Sequence, residues 1–314
     1  MKKKSLILLS GVAFSIFFYS ACSPGGQKPD NSQDSLSLRK VENPFEKNGI
    51  KLSPVENSPG YADAKIEILK PKTGDYIKPG KVKFEFNVQN YNLGNQTQDA
   101  ADKMCANSKQ GQHIHFILNN AAYTALYEPK NEIELPEGHY TLLAFLSRSY
   151  HESIKSENAF AINQFIVGKP QSIDTIITED HETGELFKTE IAYFKEGKKQ
   201  QINLKLNSNP YLFYSRPKGT YIGSDAKKIM LDFYLVNTEI SDSGNKVKLL
   251  IDSTEFILTK WVPYFIEGLS MGDHKISLTL IDKENNPVFW AAPFYESGER
   301  IITLKEDEPV AEKK

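Results

Sequence analysis

The stretch Gly111–Asn120, GQHIHFILNN, decides the fold class because it occurs twice in the chain in related form. Its counterpart is Gly244–Ser253, GNKVKLLIDS. Both stretches alternate polar and apolar side chains with a period of two, which is typical of a β-strand that has one face in a core. The two stretches therefore predict equivalent strands in two copies of one domain.

Three further pairs of segments repeat in the same order and at broadly similar spacing. They are PKTGDYI at Pro71–Ile77 with RPKGTYI at Arg216–Ile222, VKFEFNVQN at Val82–Asn90 with IMLDFYLVN at Ile229–Asn237, and LPEGHYTLLAFL at Leu135–Leu146 with LSMGDHKISLTLI at Leu269–Ile281. A duplicated domain explains this self-similarity. Short apolar alternations broken by Gly, Pro and Asn are typical of β-sandwiches. We therefore predict an all-β fold with two tandem immunoglobulin-like sandwiches, at residues 61–168 and 205–308.

The segments outside the two copies have a different composition. Residues 22–60 are rich in Ser, Pro, Gly, Asn, Asp and Lys, which predicts a flexible tether. Residues 169–204 alternate on both sides of a Glu-Thr-Gly turn at Glu182–Gly184, which predicts a linker that forms a β-hairpin. The charged tail, residues 309–314, is predicted to be disordered.

The N-terminus has the pattern of a secretory signal peptide over residues 1–21. Three lysines precede an apolar run, Ser5–Ala21, which is too short for a transmembrane helix of about 20 apolar residues. The tetrad YSAC resembles a bacterial lipobox, and this resemblance implies that Cys22 carries acyl chains such as palmitate. The Ser after Cys22 resembles the outer-membrane sorting signal. We therefore expect a lipid-anchored outer-membrane protein, on the periplasmic face or the cell surface.

The charge balance argues against nucleic acid as a partner, and the cysteine content argues against an intramolecular disulfide. The chain has 38 Lys and Arg against 40 Asp and Glu, and no basic tract follows the signal, so nucleic acid is not expected as a partner. There are two cysteines. With Cys22 consumed by lipid, Cys105 stands alone, and no intramolecular disulfide is expected.

The histidines of the repeat strand allow two interpretations. His113 and His115 point to the same side of a strand, about 7 Å apart, as two zinc or copper ligands would. They align, however, with Lys246 and Lys248. Lysines face solvent, and this analogy predicts that both histidines lie on a solvated outer face.

The first copy nevertheless concentrates further metal-ligand types. His151, in SRSYHESIKSENAF, has no counterpart in the second copy, and the insertion at about 90–110 contains Met104 and Cys105. Soft Met, Cys and His ligands favour copper. The metal-site hypothesis therefore consists of His113, His115, His151 and Cys105, with copper or zinc as the ion. No resident cofactor is expected under the alternative interpretation, a solvated polar face.

Aromatic side chains suggest a second kind of site. The second copy contains both tryptophans, Trp261 and Trp290, with Tyr264 close to the first. Aromatic rings are frequent at interaction surfaces, although core packing is the alternative. With Arg148 and Tyr150 of the loop after the first copy's LLAFL strand, they form the predicted binding residues for a partner protein or a glycan.

Three segments together resemble a family of uncharacterised two-domain envelope lipoproteins of the Bacteroidota type. The segments are ANSKQGQHIHFILNN, GHYTLLAFLSRSYHES and LFYSRPKGTY…IMLDFYLVNTEI, and the resemblance covers most of the chain after the signal. It implies envelope location and sandwich repeats. The family is sometimes labelled phosphopeptide-binding, as for forkhead-associated domains, but SRSYH departs from the spacing of that motif.

Enzyme motifs are absent from the sequence. It contains no Gly-x-Ser-x-Gly elbow, no phosphate-cradling glycine loop before a helix and no His-Glu-x-x-His. The His-x-His of a cupin is present, but Asn119 and Asn120 stand where a cupin has its Glu. We therefore expect a non-enzymatic, lipid-anchored binding protein for a partner protein or glycan, with a copper- or zinc-binding protein as the alternative.

Overall fold

The strands of the two repeats correspond one to one in the computed structural model, which describes residues 45–169, 172–179, 186–193, 199–202, 210–288 and 296–307. Two short strands precede the first copy: β1 (Glu46–Lys47) and β2 (Ile50–Pro54). The first copy contains β3 (Lys65–Lys70), β4 (Tyr76–Ile77), β5 (Gly80–Gln89), β6 (His113–Leu118), β7 (Thr124–Leu126), β8 (Lys130–Leu135), β9 (Gly138–Ser147) and β10 (Phe160–Val167). Between the copies lie β11 (Ser172–Glu179), β12 (Leu186–Tyr193) and β13 (Lys199–Ile202). The second copy contains β14 (Tyr211–Arg216), β15 (Gly219–Ile222), β16 (Ile229–Val236), β17 (Lys246–Ile251), β18 (Thr254–Leu258), β19 (Tyr264–Glu267), β20 (Gly272–Ile281) and β21 (Glu296–Lys305).

Both copies have the same sheet topology, so the fold is all-β with immunoglobulin-like sandwiches. In the first sandwich, a β3-β5-β8 sheet faces a β4-β10-β9-β6-β7 sheet. In the second, β14-β16-β19 and β15-β21-β20-β17-β18 take the same places. Each copy also pairs its short second strand in parallel with its last strand. This agreement extends the predicted duplication from sequence to strand order and direction.

Strands β1 and β2 correct the prediction of a flexible tether over residues 22–60 for its last part, whereas residues 22–44 lie outside the described residues. Ile50–Pro54 pairs antiparallel with β19 and so extends the β14-β16-β19 sheet of the second sandwich. The side chains of Ile50 and Leu52 lie in the core of that sandwich. An alternation of apolar residues within a polar segment is enough to add one edge strand, because the sheet supplies the hydrogen bonds.

The segment between the sandwiches forms a three-stranded sheet. Strands β11 and β12 pair antiparallel on either side of the predicted Glu182–Gly184 turn, and β13 pairs with the free side of β12. The turn itself lies outside the described residues, as do Cys22, Trp290, the signal peptide at 1–21 and the tail at 309–314.

Each sandwich has its own apolar core, and a third apolar cluster lies between them. This interface cluster combines residues of both copies: Ile117, Tyr123, Leu143, Phe145, Tyr211, Phe213, Tyr234 and Val236. The residues of the first copy, Ile117 to Phe145, come from the outer side of the sheet that contains β6 and β9. Those of the second copy, Tyr211 to Val236, come from the outer face of β14 and β16. The two sandwiches therefore bury one sheet face each against the other.

Helical structure contributes little. Within the described ranges, a single 3-10 turn, Gly223–Ala226, follows β15. Among these residues no helix has the length and apolar character that would let it cross a membrane.

Candidate metal centre

The two histidines of β6 are fully buried, which corrects the prediction that they lie on a solvated face. His113 and His115 each have 0% exposure. The repeat correctly indicates the face, because Ile114 and Phe116 point into the sandwich core. That outer face is covered by β14 and β16 of the second sandwich, whereas the aligned lysines of β17 are only partly buried.

A glycine turn fixes the orientation of His113. Its Nδ1 lies 2.8 Å from the carbonyl oxygen of Gly111. Gly111 has a φ of +84°, and a Cβ at this position would overlap the carbonyl groups of Gly94 and Asn95. Since a carbonyl oxygen only accepts, Nδ1 of His113 carries the proton and Nε2 is left as a free lone pair in the neutral ring.

His115 completes the pair through a bond to the second sandwich. Its Nε2 lies 3.0 Å from Nε2 of His113, and its Nδ1 lies 3.0 Å from Oγ of Ser215. Between two neutral rings, His115 must donate from Nε2, and its Nδ1 then accepts from Ser215. If His113 and His115 held an ion through their Nε2 atoms, His115 would carry its proton on Nδ1 and could donate it to Ser215. His113 and His115 would then each donate from Nδ1 to an oxygen, the Gly111 carbonyl and Ser215 Oγ, as metal-bound histidines usually do.

The third histidine lies in the loop after β9. His151 has a φ of +68°, and its backbone N–H donates to the Arg148 carbonyl at 2.8 Å, which closes a tight turn. The hydroxyl of Tyr123 lies 3.0 Å from Nδ1 of His151. This bond occupies Nδ1 and leaves Nε2 for an ion.

The insertion at about 90–110 holds this loop in place. Thr97 and Ser149 exchange two hydrogen bonds, backbone N–H to side-chain oxygen in each direction, at 3.1 and 2.9 Å. Tyr91 donates from its hydroxyl to the Ser147 carbonyl at 2.8 Å. The two features that distinguish the first copy, insertion and loop, therefore act together to bring His151 to the His113–His115 pair.

The three rings have the spacing of a metal site. One ring nitrogen from each of His113, His115 and His151 lies within 4.8 Å of the others. Zinc bound to imidazole at 2.0–2.1 Å places tetrahedral ligand nitrogens about 3.3 Å apart. The Nε2 atoms of His113 and His115, 3.0 Å apart, come close to this spacing, and the ring nitrogen of His151, within 4.8 Å of the other two, would have to move closer to bind the same ion.

Burial keeps all three imidazoles neutral, which is the protonation state of a metal ligand. It lowers the pKa of His113 to about 4, and the positive charges of Arg216 and Lys218 act in the same direction. The pKa values of His115 and His151 are held well below the ordinary value of 6.5, first by burial and then by nearby positive groups. No imidazolium therefore has to lose a proton at neutral pH before an ion binds, although His115 has to shift its proton from Nε2 to Nδ1.

Aromatic rings form the walls of the site. The Tyr123 ring stacks on His115 with a centroid distance of 3.7 Å and an interplanar angle of 6°. Phe145 and Tyr127 pack beside His115 and His113, with centroids at 4.9 and 5.2 Å. These rings restrict the orientation of both imidazoles.

Cys105 does not join the histidines, which corrects its place in the predicted ligand set. Its thiol lies in a separate apolar cluster with Tyr150, Met230 and Phe265, and burial raises its pKa to about 11. Met104 is 78% exposed. The insertion therefore supports the site through Thr97 and Tyr91, without contributing its sulfur atoms.

The residues predicted to bind a partner or glycan have internal roles in the described structure. Tyr150 and Tyr264 are buried. Arg148 is also buried and pairs with Glu152 at 3.1 Å. Trp261 is partly buried between two cores and donates from Nε1 to the Phe233 carbonyl. Sequence reasoning missed Ser215, although the continuous apolar run of β14, YLFYS, indicates a strand that is buried on both faces.

Comparisons with known proteins assign no family to the chain and give only distant likenesses among solved structures. No family model and no curated protein matches the chain. Among solved structures, the fibronectin(III)-like modules of Clostridium thermocellum CbhA share 12% identity over 77% of this chain and 94% of theirs, with a TM-score of 0.24. SGBP-B of the Bacteroides ovatus mixed-linkage glucan utilization locus, solved with a mixed-linkage heptasaccharide, shares 9% identity over 79% and 76%, with a TM-score of 0.20. The chicken CNTN1 FN1–FN3 domains share 10% over 79% and 68%, with a TM-score of 0.22. At these scores the likeness carries no information on function.

Proposed function

We propose that this chain is a non-enzymatic metal-binding protein of the cell envelope, which holds one zinc or copper ion with His113, His115 and His151. The observation that carries the proposal is the convergence of three neutral imidazoles from β6 and the loop after β9, two of them buried and that of His151 partly buried. The envelope location and the lipid anchor at Cys22 rest on the N-terminal sequence. A glycan or protein ligand has less support, because the described residues predicted to contact it are buried or packed against a core.

Metal titration of the purified mature chain tests the proposal. We expect one equivalent of Zn²⁺ or Cu²⁺ per chain, measured by equilibrium dialysis with elemental analysis. His113→Gln and His151→Gln each remove a ligand. Each should therefore lower the metal affinity by more than about 100-fold, the upper end of the loss expected when a ligand's outer-shell hydrogen-bond partner is removed. His139→Gln is the matched control, since His139 is a buried histidine of the same sandwich whose pKa is also lowered to about 4 by burial. Equal, negligible uptake by wild type and variants would overturn the proposal.

The anchor has an independent test. Replacement of Cys22 by Ala removes the acylation site and should move the protein from the membrane fraction to the soluble fraction, measured by fractionation and immunoblotting. Retention of the Cys22→Ala protein in the membrane fraction would contradict the envelope-anchor part of the proposal. This experiment does not depend on the metal.

A further inference from the structure

The proposed ion would have three protein ligands and one open position. Among the described residues, the group that can hold a metal contains His113, His115 and His151 without a carboxylate or thiol. Zinc prefers four ligands, and three-histidine sites take the fourth from solvent or from a bound molecule. The identity of that fourth ligand depends on the charges around the site.

Those charges are positive. Ser215, which contacts His115, is followed directly by Arg216 and, after Pro217, by Lys218. Both cations lower the pKa values of all three histidines. A divalent cation placed among these rings would meet the same repulsion. A negative ligand on the ion removes this conflict.

Arg216 has donor capacity that the protein leaves unused. Its side chain is 6% exposed, and its Nε is buried without a hydrogen-bond partner. Within the described ranges it forms no salt bridge; its guanidinium lies over the Tyr221 ring at 5.5 Å and is hydrogen-bonded to that side chain, so Nε is the donor left unused. A buried guanidinium without an acidic partner is costly, and it is normally retained where an anion binds.

Lys218 marks the more solvated side of the same region. It is only partly buried, and its Nζ lies 3.8 Å from the centroid of the Tyr123 ring that stacks on His115. Burial lowers the pKa of Lys218 to about 8, with the charges of Arg216 and Arg300 acting in the same direction. His151 is also only partly buried. These two residues provide a route for a small anion to enter.

We infer that the metal centre binds a small oxyanion, a carboxylate or phosphate group, as its fourth ligand, and that Arg216 holds this anion. The inference rests on the proposed metal function. The planar fork of a guanidinium matches the two oxygens of such a group, and Lys218 adds charge at the entrance. The protein would therefore bind a metal ion together with its anion, rather than the metal ion alone.

The test uses Co²⁺ in place of zinc, because its visible absorption reports a change of ligand. Co²⁺ is loaded into the mature chain, and acetate, phosphate or azide is titrated into separate samples. We expect a saturable spectral change with at least one oxyanion. Arg216→Gln should raise the half-saturating anion concentration at least tenfold while Co²⁺ uptake persists. Arg216→Lys, which keeps the charge, should give an intermediate value. Lys248→Gln, in the equivalent strand of the other copy, should match wild type.

The outcomes separate the two proposals. If Co²⁺ binds and no anion changes its spectrum, or if Arg216→Gln and wild type have equal anion affinities, the anion inference is wrong and the metal function stands. If Arg216→Gln does not fold, Lys218→Gln is the second variant, and anion affinity equal to that of wild type then overturns the inference. Absence of Co²⁺ uptake by the wild type overturns both proposals.

Discussion

Three imidazoles that are buried and neutral in the fold titrate differently in the unfolded chain. The folded-state pKa values of His113, His115 and His151 lie below the ordinary 6.5, with His113 at about 4. Below pH 6.5 the unfolded chain therefore binds more protons than the fold. Their contribution to stability is fully present above pH 6.5 and declines as the pH falls toward 4.

We expect the metal-free protein to lose about 1.4 kcal/mol of stability per pH unit for each of these histidines over that interval. Urea unfolding from pH 7.5 to 4.5 measures the slope. His151→Gln should remove one histidine's share of it. His274→Gln should leave the slope below pH 6.5 unchanged, because a raised folded-state pKa changes stability only above the unfolded value. Burial lowers the pKa of His274, but its bonds to Asp252 and the Ser270 carbonyl outweigh this and raise the pKa. Equal slopes in wild type and His151→Gln would contradict the assignment.

Ser215 tests the outer shell of the proposed site. It accepts from Nδ1 of His115 when that ring binds an ion through Nε2, and loss of such a partner costs about 10- to 100-fold in metal affinity. We expect Ser215→Ala to weaken Zn²⁺ binding by about tenfold, measured by competition with a chelator. Ser270→Ala, at an exposed side chain, is the control, and an unchanged affinity in Ser215→Ala would show that this contact has no metal role.

At the scale of elements, β6 and β17 are the same strand in two different surroundings. Both alternate core residues with polar ones, but the polar side of β6 is buried and that of β17 is half exposed. The double variant His113→Lys/His115→Lys gives β6 the pattern of β17. It places two charges at a closed interface, and we expect a loss of more than about 3 kcal/mol in unfolding free energy, measured by urea denaturation.

The reciprocal variant is the control for this exchange. Lys246→His/Lys248→His changes the partly exposed strand and should shift stability by less than about 1 kcal/mol. It should also bind no metal, since this copy has no equivalent of His151. Similar losses of unfolding free energy in both double variants would show that β6 is no more enclosed than β17.

The same pair of strands shows which features of the fold and the site could be predicted from the sequence. The duplicated pattern predicted the sandwiches and the face on which His113 and His115 lie. The pattern did not predict what covers that face. The two sandwiches have the same internal strand pairing, but the outer face of β6 packs against the other sandwich and that of β17 does not. The available signal was compositional. Strand β9 is buried on both faces and reads YTLLAFL, whereas its counterpart β20 alternates as DHKISLTL. The approach of His151 depends on an insertion and a loop that no periodicity describes.

At the scale of the whole molecule, a buried charge pair joins the sandwiches. Asp232 of the second sandwich is 0% exposed, and its carboxylate accepts from Lys155 at 2.7 Å and from the backbone N–H and hydroxyl of Ser153 at 3.0 Å. We expect Asp232→Ala to cost about 3–5 kcal/mol, because it leaves an unpaired ammonium in the interface. Calorimetry should show one transition for wild type and two for the variant.

A surface pair provides the comparison. Lys275 and Glu299 lie 3.1 Å apart with both side chains more than half exposed. Glu299→Gln should cost about 0–1 kcal/mol and leave a single transition. If Asp232→Ala behaves in the same way, the sandwiches do not depend on this pair for their association.

The added strand β2 sets an order of events during biosynthesis. It is made before either sandwich, yet its partner β19 is among the last strands made, and Lys47 beside it bonds to Glu255, 208 residues later. As the chain emerges N-terminus first, β2 must wait unpaired until almost the whole polypeptide is available. Closure of so long a loop is slow. The leading segment can therefore join its sheet only after most of the trailing domain has been made, and a chain that stalls before β19 exposes an unpaired strand to proteases and chaperones.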